Sequence, residues 1–294
     1  MLAVTGASGL LGANALTVAV ERKLSCLGLY GSNPIAVRGA RTGRADLVAE
    51  WDQVESLLNE ARPTWLFHCA ARTQVDECET DPAGTRAINV EATRRLAHWC
   101  AQNGARFAYM SSAGVFDGGR GDYSEADTPR PRNVYATSKY EGELATLAEC
   151  PDALIIRADI YGWNAQPKQS LAEWILARLR SGQEVPGFTD VRFTPILAND
   201  LVGMTYDLLE QNASGVFHLG SSDACSKFGF AQAIAHAFGI DTRSIVPVSI
   251  TNAKFKAPRP PDTSLVCLKA EAALNRKMPS VAEGLARFKE LEKR

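Results

Sequence analysis

Apolar and polar positions follow one another in the first half of the chain in blocks whose lengths suit a parallel α/β sheet. Leu2-Ala3-Val4-Thr5 is a short apolar run that ends in Gly6-Ala7-Ser8-Gly9-Leu10-Leu11-Gly12, and residues 14–20 then read as a helix. Residues 24–30 fit a second strand and 49–60 a helix stopped by Pro63. Residues 64–68 form a near-continuous apolar strand of the kind buried on both faces. The next helix has marked ends, with Asp81 as N-cap, Pro82 at the first helical position and Gly104 just past the end. Strands are expected at 106–111 and 153–157, with a helix over 134–149 between them. This βαβ alternation predicts a Rossmann-type doubly wound parallel sheet with helices on both faces.

Beyond about residue 160 the pattern loosens. Helices fit 170–181, 199–211 and 227–238, and 215–219 reads as a late return strand. Residues 257–262 contain Pro258, Pro260 and Pro261, which removes donors and excludes regular structure there. The expected organisation is a cofactor-binding domain over 1–158, with return segments near 190–220. A smaller, partly interleaved C-terminal α/β domain, from 159–189 and 221–294, is expected to take the substrate and close over the sheet's carboxyl edge.

Length and charge narrow the field. A chain of 294 residues holds about two domains' worth of material. Lys and Arg total 32 against 33 Asp and Glu, so the balance lacks the basic excess that nucleic acid or an anionic membrane would require. No apolar run reaches the roughly 18 residues of a membrane span. A first strand starting at residue 2 leaves no room for a secretory signal, so a cytoplasmic location is expected. The seven cysteines are scattered without a Cys-x-x-Cys pair and are expected to be reduced, mostly buried thiols. The four histidines show no zinc-type spacing, so no metal site is expected, and His68 and His218 sit in apolar runs as core residues.

Three groups of residues carry chemistry. A strand, then Gly6-x-x-Gly9-x-x-Gly12, then a helix permits a tight turn and close approach of a pyrophosphate to backbone N–H groups at a positive helix end. Tyr135 and Lys139, four apart on a predicted helix, share one face, where an ammonium group would lower the pKa of a phenol. Ser112, 135 − 112 = 23 residues upstream, falls at the carboxyl end of a strand, where such sheets bind ligands and a hydroxyl can polarise a carbonyl oxygen. Cofactor choice is read from the end of the second strand. Tyr30-Gly31-Ser32-Asn33 has no carboxylate for a ribose 2′-hydroxyl, whereas Ser32 with Arg38 or Arg41 suits a 2′-phosphate, which favours NADP(H) over NAD(H).

With these residues in view, Gly6-x-x-Gly9-x-x-Gly12, Cys69-Ala70-Ala71, Ser111-Ser112 and Tyr135-x-x-x-Lys139 resemble the extended short-chain dehydrogenase/reductase family. The run Val115-Phe116-Asp117-Gly118, then Tyr123-Ser124-Glu125-x-Asp127-x-Pro129-x-Pro131-x-Asn133-Val134-Tyr135, resembles its dTDP-4-dehydrorhamnose reductase subgroup and the related regulatory subunit of methionine adenosyltransferase. Arg259-Pro260, Ser264-Leu265 and Ser280-x-x-Glu283-Gly284-Leu285 resemble the same group, so the likeness runs over nearly the whole chain.

The resemblance implies Ser112, Tyr135 and Lys139 as the catalytic triad and Gly6, Ser8, Gly9, Leu10, Leu11 and Gly12 as the pyrophosphate loop. It further implies Asp46 and Leu47 beside the adenine, and Cys69, Ala70 and Ala71 beside the ribose and nicotinamide. Thr73 and Val75 would face the sugar, and Asn89 would be a structural asparagine near the site. One departure bears on substrate: the acidic and aromatic residues that usually follow the catalytic hydroxyl in rhamnose reductases are Ala113 and Gly114 here, which points away from dTDP-4-dehydrorhamnose itself. Arg157, Arg192 and Arg259 are candidates to meet a nucleotide diphosphate.

The expected activity is therefore NADP(H)-dependent reduction of a keto group on a nucleotide-activated deoxysugar. A nucleotide-sugar 4-epimerase with tightly held cofactor and a non-catalytic regulatory subunit stay open as alternatives. The expected partners are the nucleotide sugar and, as an open option, a second copy of the chain, with neither nucleic acid nor membrane.

Overall fold

A computed structural model describes residues 1–292. The first half runs β1 (Leu2–Thr5), α1 (Leu10–Glu21), β2 (Cys26–Tyr30), β3 (Arg41–Arg44), α2 (Trp51–Ala61), β4 (Trp65–His68), α3 (Val75–Thr80), α4 (Pro82–Arg86), α5 (Ala92–Asn103), β5 (Arg106–Met110), α6 (Val134–Glu149) and β6 (Leu154–Arg157). The second half adds β7 (Asp159–Tyr161), α7 (Leu171–Arg180), β8 (Val185–Phe188), β9 (Arg192–Phe193), β10 (Pro195–Leu197), α8 (Ala198–Glu210), β11 (Gly215–His218), β12 (Cys225–Ser226), α9 (Lys227–Phe238), β13 (Ile245–Val248), α10 (Leu268–Leu274) and α11 (Val281–Leu291).

Seven strands make one parallel sheet in the order β11-β6-β5-β4-β1-β2-β3. The order reverses between β1 and β4, which opens a crevice at the carboxyl ends of the strands. Alternate side chains enter two different cores. Leu2, Val4, Phe67 and Ala108 join the layer under α1 and α8, whereas Ala3, Leu66, Phe107 and Tyr109 join the layer under α2 and α5. That double burial explains why β1 and β4 are apolar up to their last residues, Thr5 and His68, which are buried and hydrogen-bonded to each other. β3, Arg-Thr-Gly-Arg, is polar because it is the sheet's exposed edge.

A third core, separate from the sheet, gathers Tyr161, Leu176, Phe193, Phe230, Leu285 and Phe288 from α7, α9, α11 and the short strands around them. Trp163 stacks on Phe288 with ring centroids 4.3 Å apart, and Tyr161 meets Phe230 edge-on at 5.2 Å. Each fully buried ring of this kind contributes about 1.5–3 kcal/mol. Small paired strands, β7 with β10, β9 with β12 and β8 with β13, join this core to the sheet. Among the described residues no helix is long and apolar enough to cross a membrane.

Two departures from the expected elements bear on the site. α1 begins at Leu10, directly off Gly9, rather than at residue 14. The helix expected after Asp81 is interrupted: Asp81 caps it by accepting from the Gly84 N–H at 2.9 Å, but residues Ala87–Glu91 form a π-helical turn between α4 and α5. Such a turn re-aims one residue, here Asn89.

Candidate active site

The turn from β1 into α1 lies at the reversal point of the sheet. Gly6 takes φ +64°, and a Cβ there would come within 2.6 Å of the Ala70 backbone. A Cβ on Gly12 would collide with the Gly6 carbonyl oxygen. The Gly9 N–H donates to Gly6 O at 2.9 Å and closes the loop. α1 starts without a side-chain cap and without an acid in its first turn, so its positive end is left for an anion. Ser8 and Leu10 are half-buried beside this turn and Leu11 is buried beneath it. A turn in which neither Gly6 nor Gly12 can carry a Cβ leaves its backbone N–H groups open to an anion, which fits the pyrophosphate of a dinucleotide.

Ser32 and Arg38 lie exposed in the loop between β2 and β3, while Arg41 is occupied by Glu60 at 2.8 Å. Among the described residues no carboxylate pairs with Arg38. Asp46 accepts from the backbone N–H groups of Ala49 and Val48 at 3.0 and 2.9 Å, which holds its carboxyl below the usual range, and Leu47 beside it is buried.

Cys69, Ala70 and Ala71 follow β4, and the Cys69 and Ala70 backbone packs on Gly6, which is why Gly6 cannot carry a side chain. The next residue is pinned by Asn89, which accepts from Arg72 N at 2.8 Å and donates to Arg72 O at 3.1 Å. Asn89 also donates to Ser138 Oγ on α6 at 2.8 Å, so the π turn ties this segment to the helix bearing Tyr135. Thr73 is exposed, and Val75, the first residue of α3, is half-buried.

α6 is set down firmly. Its N-cap Asn133 accepts from Ala136 N and donates to Pro258 O at 2.9 Å, and Val134 N donates to Glu79 at 2.8 Å. From this start Tyr135 and Lys139 point the same way, one turn apart. Ser112, buried at the end of β5, accepts from Gly114 N at 3.0 Å, and its hydroxyl lies against the Tyr135 phenol. The Lys139 ammonium sits 4.1 Å from the centre of the Tyr109 ring. The structure thus brings Ser112, Tyr135 and Lys139 together at the carboxyl edge of the sheet.

The electrostatics differ from the sequence expectation. Burial pushes the Tyr135 phenol up to about 12, offset in part by Ser112 and reinforced by the nearby Asp159 carboxylate. Burial also pulls Lys139 down to about 7, against the pull of Glu143. Lys139 is not among the groups that shift the phenol here; burial dominates. At neutral pH the phenol holds its proton.

Behind these residues lies a network that sequence reading missed. Glu143, one turn beyond Lys139, takes a bidentate pair from Arg157, with Nε at 2.8 Å and Nη2 at 2.6 Å, and accepts from Ser111 Oγ at 2.5 Å. The i, i+4 spacing from Lys139 is the signal that could have found it. Arg157 is 3% exposed and stacks over Phe116, so it is a core residue and not a diphosphate ligand. Arg259 pairs with Asp76 at 3.0 Å, and Arg192, half exposed, lies 3.5 Å from Asp262. His68 and His218 are core residues, as expected, with His68 held between Thr5 Oγ1 at 2.6 Å and Thr93 Oγ1 at 2.9 Å. All seven cysteines are free thiols.

Comparison with known proteins places this geometry among relatives. The RmlD substrate binding domain matches residues 1–293. A probable low-salt glycan biosynthesis reductase of Haloferax volcanii is 32% identical over 287 residues, 96% of this chain and 95% of that protein. Methionine adenosyltransferase 2 subunit beta of Danio rerio is 30% identical over 283 residues, 91% of this chain and 83% of that one. Among solved structures, dTDP-4-dehydrorhamnose reductase from Bacillus anthracis in complex with NADP superposes with a TM-score of 0.84 at 26% identity, covering 99% of this chain and 98% of that one.

Proposed function

The chain belongs to the RmlD substrate-binding-domain family, and on that premise we propose that it is a nicotinamide-dependent oxidoreductase that reduces a keto group on a nucleotide-activated sugar. The observation that carries the reading is the convergence of Ser112, Tyr135 and Lys139 beside the glycine cradle of β1 and α1. The cofactor would lie with its pyrophosphate on Gly6, Ser8, Gly9, Leu10, Leu11 and Gly12, its adenine near Asp46 and Leu47, and its nicotinamide end beside Cys69, Ala70 and Ala71. Bound there in reduced form, it supplies the hydride.

The protein's own residues do the rest. Ser112 Oγ orients the substrate carbonyl by donating to its oxygen. Tyr135 Oη gives its proton to that oxygen as negative charge develops. A phenol near 12 is still far more acidic than an alcohol, so the proton moves downhill. Lys139 holds the ribose hydroxyls and, when charged, stabilises the phenolate left behind. Thr73 and Val75 edge the sugar's side of the cleft. Ser32 and Arg38, with no acid at the end of β2, favour a 2′-phosphate and hence NADPH over NADH.

The test is oxidation of NADPH on addition of a nucleotide-linked 4-ketohexose, starting with dTDP-4-dehydrorhamnose. The active protein should lose about 10²-fold or more of its turnover in Tyr135→Phe while binding NADPH as before. Full activity in that variant removes the assignment. Absence of turnover on every ketosugar, with a stoichiometric enzyme partner recovered instead, would favour a role as an enzyme subunit, as in the name of the Danio rerio relative.

A further inference from the structure

Opposite Tyr135, the second half of the chain presents two charged side chains that the roles above leave unused. Asp159 opens β7, and its carboxylate accepts from Thr263 Oγ1 at 3.0 Å. It is near enough to Tyr135 for its charge to oppose ionisation of the phenol. Lys227 is the first residue of α9, and its ammonium rests 3.1 Å from the centre of the Phe193 ring.

Three separate segments hold these groups in place. β7 pairs with β10 and carries Asp159. The β9–β12 pair aligns Phe193 with Cys225, two residues before Lys227, and Lys227 N donates to Val191 O at 2.9 Å. The proline-rich segment brings Thr263, whose N–H donates to Arg192 O at 3.0 Å.

Asp159 and Lys227 feel each other without touching. Each is the leading charged neighbour of the other, yet among the described residues no contact of 4.0 Å or less joins them. Two opposite charges withdrawn from water close up into an ion pair unless held apart or bridged. Here Thr263 anchors one and the Phe193 ring seats the other. A carboxylate accepts from a hydroxyl and an ammonium donates to one, so the gap is complementary to a vicinal diol. Ala113, whose N–H donates to Ala158 O at 3.4 Å and so brings Asp159 close to Ser112, offers no polar side chain of its own, and neither does Gly114.

We propose that Asp159 and Lys227 form the polar grip of the sugar subsite, binding neighbouring hydroxyls of the pyranose whose ketone faces Tyr135. The assignment rests on the nucleotide-sugar reading and places sugar specificity in the second half of the chain rather than in the loop after β5.

The experiment is calorimetric titration of the NADP⁺-loaded protein with dTDP-rhamnose and UDP-glucose, with dTDP and UDP as sugarless controls. The wild type should bind at least one nucleotide sugar more tightly than its sugarless control. Asp159→Asn and Lys227→Met should each weaken that nucleotide sugar by about tenfold, leaving nucleoside diphosphate and NADPH affinities unchanged. Thr263→Val, which frees Asp159 without altering charge, should give a smaller loss in the same direction and stands in if either charge variant fails to fold. NADPH binding in the same samples reports folding. Sugar affinity unchanged in folded variants overturns the subsite alone. A wild type that does not distinguish nucleotide sugars from nucleoside diphosphates overturns the reductase reading and the subsite with it.

Discussion

Replace Arg157 by Met, and the Glu143 carboxylate stays in the core with the Ser111 hydroxyl as its remaining close donor. Both partners of the pair are deeply buried, with side chains 4% and 2% exposed, and the two N–H···O hydrogen bonds that the substitution removes are 2.8 and 2.6 Å long. Stripping one partner from a buried ion pair costs about 3–5 kcal/mol, because the other charge is left uncompensated. Against a total stability of about 5–15 kcal/mol this is a large fraction. The double variant Glu143→Leu/Arg157→Met behaves differently. It removes both charges, and the desolvation of the pair largely cancels its attraction. Among the described residues the buried Arg157 Nη1 has no hydrogen-bond partner, which lowers the pair's net value further. The double variant should therefore lie within about 1–2 kcal/mol of wild type, and with each single variant costing about 3–5 kcal/mol the coupling is about 4 kcal/mol or more. Urea unfolding followed by fluorescence of the five tryptophans reads all four corners of the cycle, with slopes checked for constancy. A cost under about 1 kcal/mol for Arg157→Met, or a double variant as unstable as the sum of the singles, refutes the reasoning. The same double variant should turn over slowly though folded, since Ser111 adjoins Ser112 and Glu143 stands one turn from Lys139.

Burial presses His68 down to about 3 and His218 to about 4, so both stay neutral in the fold while the unfolded chain protonates them near 6.5. Between about pH 6 and 4 the unfolded state binds up to two more protons, and stability falls with pH by as much as about 2.7 kcal/mol per unit. A urea midpoint equal at pH 6.5 and 4.5 contradicts this. Gly12→Ala drives a Cβ into the Gly6 carbonyl, whereas Gly9→Ala meets the same oxygen at 3.3 Å, so fluorescence titration should show NADPH affinity lost far more in the first; equal losses argue against the cradle. Arg38→Ala should raise KM for NADPH by about tenfold and leave NADH unaffected; equal effects on both remove the 2′-phosphate role.

Much of the sheet was legible because its strands are buried on both faces and its helices carry strong end signals. Asp81, Pro82 and Gly104 marked their helix ends, and α6 was read to its observed limits. β3 was not delimited because an exposed edge strand has no apolar signature. The π turn at Ala87–Glu91 has none either, arising where Asn89 must reach Arg72 and Ser138 at once. Two-residue strands such as β9 and β12 are too short for any periodicity. The candidate triad could be read because Tyr135 and Lys139 share a helix face and Ser112 ends a strand. Its electrostatics could not, since the phenol's rise to about 12 depends on how far folding withdraws it from water. Arg157 looked available to a diphosphate only because its partner, Glu143, lies on another element. Asp159 and Lys227, 227 − 159 = 68 residues apart, meet only through tertiary structure.

The central claim is that Ser112, Tyr135 and Lys139 serve hydride transfer to a sugar ketone. The most direct measurement uses NADPH carrying deuterium at the transferable C4 position, with a nucleotide-linked 4-ketohexose as acceptor and mass spectrometry of the sugar product. One deuterium should appear on the former carbonyl carbon for each NADPH consumed, at a rate about 10²-fold lower in Tyr135→Phe. NADPH consumption with no deuterium in the sugar, or equal rates in the two proteins, contradicts it.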